Sequence, residues 1–139
     1  MAGLPSVLRL EIVTPEGLLL DEEVHEVQVP GELGSFGVRP GHTPFLSTLG
    51  IGEISYLKDG SWSYLTCFWG FCEVLPDSVS ILAELGERAE DIDGAEAQVA
   101  LEKAQERMKS IRDEAGYDEA RQEYIQAVTR VAVAGRKRG

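Results

Sequence analysis

The sequence predicts an N-terminal antiparallel β-sandwich followed by a C-terminal two-helix antiparallel hairpin. Three observations predict it. Every proline lies at or before Pro76. Up to about residue 86, short apolar runs alternate with polar residues, the period of half-buried strands. Beyond Gly86 the composition turns to Ala, Glu, Lys, Gln and Leu, good helix formers, with apolar residues spaced mostly by three and four. The 139 residues suffice for one domain with a small appendage, and the change of pattern divides them into 1–86 and 87–139.

In the first part, Leu8, Leu10 and Ile12 alternate with Arg9 and Glu11 as in a strand with one face buried. Thr14-Pro15-Glu16-Gly17 reads as a turn. Leu18 to Leu20 and Val24 to Val29 are further short strands. Glu53 to Leu57 and Ser61 to Cys67 flank Lys58-Asp59-Gly60, whose Asp-Gly is a hairpin signal. Phe71 to Leu75 and Val79 to Ala83 flank Pro76-Asp77-Ser78, a second hairpin.

In the second part, Glu87 to Arg112 forms the first predicted helix. Its stripe is Ile92, Ala95, Val99, Ala104, Met108 and Ile111, with Asp93 and Glu96 spaced as a capping box. Gly116 is expected to interrupt. A second stripe follows in Tyr117, Ala120, Tyr124, Ala127 or Val128, Val131 and Ala134, and Gly135 is the expected stop. Two helices of roughly 18–20 residues joined by about five make an antiparallel hairpin. Its seam is mostly Ala, which buries little area at about 25 cal/mol per Å², so the pair reads as a movable element.

The net charge of −11 argues against nucleic acid as a partner, because phosphate contacts need clustered Lys and Arg. The charge is unevenly placed. Residues 1–86 hold 3 basic and 12 acidic residues, and residues 87–125 hold 6 and 12. Residues 126–139 hold Arg130, Arg136, Lys137 and Arg138 and no acid. An acidic body thus ends in a basic tip. No apolar run approaches the ~18 residues of a spanning helix, and no secretory signal opens the chain.

No chemistry of its own is expected. The two histidines, His25 and His42, form no metal-ligand pattern, and Cys67 and Cys72 read as buried structural thiols, facing opposite sides if on one strand, with Gly70 between them a point where it can bend. No serine sits in a G-x-S-x-G elbow and no G-x-x-x-x-G-K-[ST] loop exists. Asp91-Ile92-Asp93-Gly94 fails as a calcium loop, because Ala89 and Ala100 would stand where oxygen ligands are required. Neither a metal nor a cofactor is expected, and a binding or coupling module is favoured over an enzyme.

Residues 30–46, Pro-Gly-Glu-Leu-Gly-Ser-Phe-Gly-Val-Arg-Pro-Gly-His-Thr-Pro-Phe-Leu, carry the most specific motif. They resemble the "G-x-x-G-x-x-G-[IV]-x-P-G-H-x-P-[LF]-[LI]" signature of the epsilon subunit family of F-type ATP synthases. Trp69-Gly70-Phe71-Cys72-Glu73-Val74 with Val79-Ser80-Ile81-Leu82-Ala83 resembles that family's "G-G-F-x-E-V … V-T-I-L-A" hairpin, and Ala89-Glu90-Asp91-Ile92-Asp93 its "A-E-x-[IL]-D" approach to the C-terminal helices. The resemblance runs in order along nearly the whole chain.

The resemblance implies a β-sandwich of about ten strands and a two-helix domain. It implies a non-catalytic place in the central rotor of a proton-translocating synthase, coupling the gamma subunit to the ring of c subunits. It places the chain on the cytoplasmic face of the bacterial inner membrane, held there through the complex, and the lack of a transit peptide agrees with a bacterial origin. Glu32, Leu33, Arg39 and His42 become candidate contacts to the c ring. The helices can regulate ATP hydrolysis by extending toward the catalytic head, where Arg121, Arg130, Arg136, Lys137 and Arg138 are candidates to meet an acidic segment of the beta subunit, with alpha beside it. Cations also favour a helix C-terminus by a few tenths of a kcal/mol each, so the tip has a purely local reading too.

One departure stands out. Some bacterial members bind ATP through "[IL]-D-x-x-R-A". The matching residues are Ile92, Asp93, Glu96 and Ala97, so Glu96 replaces the arginine and reverses a charge that would face phosphate. Weak or absent ATP binding is expected, which disfavours the alternative of a stand-alone ATP-sensing module whose hairpin closes on nucleotide.

Overall fold

The computed structural model describes residues 5–136. Seven strands come first: β1 (Leu8–Thr14), β2 (Gly17–Val24), β3 (Glu26–Gly31), β4 (Gly34–Val38), β5 (Phe45–Lys58), β6 (Ser61–Leu75) and β7 (Ser78–Leu85). They form one ribbon in the order β2-β1-β7-β6-β5-β3-β4, antiparallel except for the pair β1–β7, which is parallel. β2 and β5 are far apart in that order, yet Lys58 at the end of β5 is ion-paired with Glu22 of β2. The ribbon therefore folds over into two layers. Leu8, Leu10, Ile12, Val24, Val27, Val38, Ile54, Val74, Val79 and Ile81 fill the space between as one buried core.

The turns follow their residues. Asp59 and Gly60 both have positive φ, 49° and 78°, the type I′ geometry whose twist suits two adjoining strands. Pro76-Asp77 closes β6–β7 with Leu75 opposite Ser78, and Pro15-Glu16 closes β1–β2 with Thr14 opposite Gly17.

Within the sandwich, three sequence expectations change. The strand count is seven among the described residues, against about ten expected, and β5 and β6 are long, 14 and 15 residues, with β6 running through both Ser61–Cys67 and Phe71–Leu75. Val24 to Val29 is divided at His25, where the chain leaves β2 to pair with β5, and the His25 amide donates to the Leu57 carbonyl at 2.8 Å. Cys67 and Cys72 both face the core. Five residues apart on a regular strand they would face oppositely, but Trp69 (φ 58°) and Gly70 (φ 154°) reset the phase between them.

After β7, residues 87–93 are not yet helical. The Thr66 amide donates to the Glu87 carbonyl at 2.8 Å, and a 3-10 turn spans Ala89–Asp91. Helix α1 is Gly94–Ser110 and helix α2 is Glu114–Ala134. Asp93 caps α1 by accepting from the Glu96 amide at 3.1 Å. Gly116 does not interrupt. It lies in the first turn of α2, where its amide donates to the Asp113 cap at 3.0 Å, so the connection is shorter than expected. The seam is small-residued as expected: Ala97 and Ala104 of α1 and Ala120 and Ala127 of α2 are buried, but Ala95 and Val99 face solvent. The far end of α2 docks back on the sandwich, where Val133 and Ala134 are buried with Ala89, Ile92 and Ala97 against Tyr64 of β6.

Candidate functional site

Glu32 and Leu33 form the two-residue tip between β3 and β4, with Gly31 opposite Gly34. Leu33 is fully exposed. Glu32 is held from β5: its amide donates to the Thr48 carbonyl at 3.0 Å, and its carboxylate accepts from the Thr48 hydroxyl at 2.6 Å. The Pro40-Gly41-His42 loop is fixed by the Gly41 amide on the Pro76 carbonyl at 2.7 Å, and His42 Nδ1 lies 2.6 Å from the Thr43 carbonyl. Phe45 stands edge-on to Phe36, with ring centres 5.3 Å apart, and 6.5 Å from the His42 ring. Arg39 is tied elsewhere. Its Nε donates to Glu26 at 3.1 Å, and the other Glu26 oxygen accepts from Gln28 at 2.6 Å.

A second surface was not legible in the sequence. Thr48, Phe71, Leu82 and Val13 are directly opposite one another in register across β5, β6, β7 and β1. Phe71 and Leu82 are 42% and 57% exposed, and Leu18, Leu46 and Leu85 are exposed as well. An apolar row of this kind, flanked by Glu11, Glu73 and Glu84, marks a face made to be covered. Alternation identifies inward residues, but it cannot tell an uncovered outer row from a covered one.

Arg121 and Arg130 lie on α2 and Arg136 just beyond its end. Arg121 is exposed. Arg130 Nε and Nη2 donate to the two oxygens of Glu87 at 2.7 and 3.1 Å. That hydrogen bond, ahead of the opposing effect of burial, raises the guanidinium's pKa. Arg136 donates to Glu53 of β5 at 3.1 and 3.4 Å and lies 5.0 Å above the Tyr64 ring. Lys137 and Arg138 lie outside the described residues.

At the degenerate motif, Ile92 and Ala97 are buried, Asp93 is occupied as a helix cap, and Glu96 is exposed within the field of Arg130. A cleft of about 350 Å³ between the helices is lined by Lys103, Arg107 and Arg130. Both arginines already hold carboxylates, Arg107 those of Glu119 and Glu123 and Arg130 that of Glu87. Burial pushes both core thiols, Cys67 and Cys72, up to about 12, which keeps them neutral and unreactive. Among the described residues no group of three or more His, Cys, Asp or Glu is placed to hold a metal, and no helix is long and apolar enough to cross a membrane.

A sandwich with an uncovered apolar face and a helical hairpin held to it by ion pairs defines a binding subunit, one that works by contact with other chains. Residues 7–89 match the model of the ATP synthase delta/epsilon chain beta-sandwich domain, and residues 90–135 match that of the long alpha-helix domain. The ATP synthase epsilon chain of Geotalea daltonii is 45% identical over 133 residues, covering 93% of this chain and 94% of that relative. The epsilon chain of Solibacter usitatus is 43% identical over 136 residues, covering 96% and 100%. A chain in the cryo-EM structure of the Euglena gracilis mitochondrial ATP synthase (OSCP/F1/c-ring, rotational state 1) shares the fold, with a TM-score of 0.82 at 22% identity over 96% of this chain and 84% of that one. The chain belongs to the ATP synthase delta/epsilon chain family. It is a non-catalytic subunit of that synthase.

Proposed function

We propose that the protein is a central-rotor subunit that couples gamma to the c ring and restrains ATP hydrolysis through its C-terminal helices. The observation that carries the coupling role is the row of half-buried Val13 and exposed Leu82 and Phe71. Gamma covers this row. Covering apolar area returns about 25 cal/mol per Å², and a subunit that stays on a turning shaft needs such a face.

The c ring meets the end of the sandwich that carries Glu32, Leu33 and His42. There a fully exposed leucine and a braced carboxylate project from a two-residue turn. Arg39 is a further candidate contact, with its Nε engaged by Glu26. Residues 1–86 form the coupling part and residues 87–139 the regulatory part. The complex sits at the cytoplasmic face of the bacterial inner membrane and moves protons. The membrane-spanning work falls to other chains.

In the regulatory role, α2 leaves the sandwich and carries Arg121, Arg130 and the basic end to an acidic segment of beta, beside alpha. Deleting residues 126–139 and assaying hydrolysis by the reassembled synthase tests it. A rise in hydrolysis is expected, and unchanged activity refutes the restraint. The alternative of an ATP-sensing module is disfavoured by Glu96, and by the carboxylates already held by Arg107 and Arg130.

A further inference from the structure

The ion pairs that join α2 to the rest of the chain are of two kinds. Toward the start of the helix, Glu119 and Glu123 pair with Arg107 of α1, within the hairpin. Toward its end, Arg130 and Arg136 reach out of the hairpin, to Glu87 in the segment after β7 and to Glu53 of β5. Both outward pairs are two-pronged, with Nε and Nη2 of one guanidinium on the two oxygens of one carboxylate, the geometry that gives arginine its strongest contacts. The Arg130–Glu87 pair is sheltered, with side chains 22% and 37% exposed. Arg136 has a second hold in the Tyr64 ring beneath it.

Between these pairs the apolar contact is slight. Among the described residues, Val133, Ala134, Ala89, Ile92 and Ala97 form the buried cluster, with Tyr64 and Val131 at its margin. A cluster dominated by alanine returns little from burial. The ionic contacts therefore carry an unusual share of what keeps the end of α2 on the sandwich.

We propose that the Arg130–Glu87 and Arg136–Glu53 pairs form a latch that sets how often α2 leaves the sandwich, and that an acidic protein surface competes with these two carboxylates for the same guanidiniums. The competition rests on the regulatory role proposed above; the latch itself does not. Each arginine satisfies one carboxylate at a time in this two-pronged form, so docking on the sandwich and engagement of the acidic partner exclude one another. Glu87 and Glu53 act as an internal stand-in for the partner's acids. Salt screens exposed ion pairs, so the docked state weakens as ionic strength rises.

Amide hydrogen exchange on the full chain, without other subunits, tests the latch. The variants are Glu87→Gln, Glu53→Gln, the two together, and the charge swap Glu87→Arg with Arg130→Glu. Undocking removes the helix from its support, and a helix of this composition frays when alone. Each single variant is expected to speed exchange in the second half of α2 by about two- to fivefold. Exchange in β1, β6 and β7 should stay unchanged. The swap should return α2 to near the parent rate, and added salt should speed the parent but not the doubly substituted chain. Parent-like exchange in both single variants overturns the latch, and so does a swap as fast as Glu87→Gln. If deletion of residues 126–139 leaves hydrolysis unchanged while the exchange results hold, the regulatory role fails and the latch stands.

Discussion

Trp69 and Gly70 show how much one backbone irregularity decides at the scale of residues. A bulky residue at φ 58° is strained, and the strain is held by the pairing on either side. The consequence is that Cys67, Cys72 and Val74 all point inward along one strand while Phe71 is turned out to solvent. Burial of both thiols was legible from composition. Their sharing one face was not, because Gly70 signals a possible bend but not a shift of phase. Gly70 is the residue that permits it: a Cβ there would stand 2.1 Å from the Leu82 carbonyl oxygen and 3.0 Å from the Ala83 Cα, both backbone atoms that cannot swing away. Gly70→Ala is expected to destabilise the chain by about 2 kcal/mol or more. Thermal unfolding measures it, and an unchanged midpoint would show that the strand accommodates a side chain there. The same residue holds Phe71 and Leu82 in one row, so the variant should also weaken whatever covers that face.

At the scale of elements, the turns were the most legible features. Asp59-Gly60 and Pro76-Asp77 both form two-residue connections, the first with the positive φ angles that Asp and Gly tolerate and the second with a proline, whose ring fixes its own φ. The helical boundary was legible only in its cap. Residues 87–92 have the composition of a helix, but the Thr66–Glu87 backbone bond and the Leu65–Arg88 bridge draw them along β6 first. Asp93, the residue with a side chain suited to capping, marks the true start. Gly116 misled for the converse reason: a glycine in a helix's first turn costs little beside a good cap at Asp113. The start of α1 also bears on nucleotide. A helix N-terminus attracts phosphate through its unpaired amides and dipole. Here Asp93 occupies the Glu96 amide, and the Glu96 carboxylate adds repulsion in the same turn. Titration calorimetry of the full chain with ATP should show no micromolar binding; a micromolar dissociation constant would mean that the cleft cations outweigh Glu96.

For the whole molecule, the division of charge was legible and its use was not. A basic end on an acidic chain suggested a distant acidic partner. The structure shows nearer ones, since Arg130 and Arg136 find their carboxylates 43 and 83 residues away in the same chain, on Glu87 after β7 and on Glu53 of β5. No sequence spacing reveals partners at such separations; only the folding of the hairpin onto β6 brings them together. Glu32 and Leu33 at the β3–β4 turn and His42 in the Pro40-Gly41-His42 loop lie in short connections, and local structure positions each of them. The apolar row that completes the picture needed the full strand order, because its members come from β1, β5, β6 and β7.

The coupling role is tested most directly by purifying the tagged full-length chain from membranes in which it replaces the native subunit. Gamma and the c ring are expected to come with it in constant proportion, and the double substitution Phe71→Glu with Leu82→Glu should lose gamma while the isolated chain still unfolds cooperatively. Recovery of the chain without gamma and c subunits would contradict the coupling role, and undiminished gamma in the substituted complex would contradict the face assigned to it.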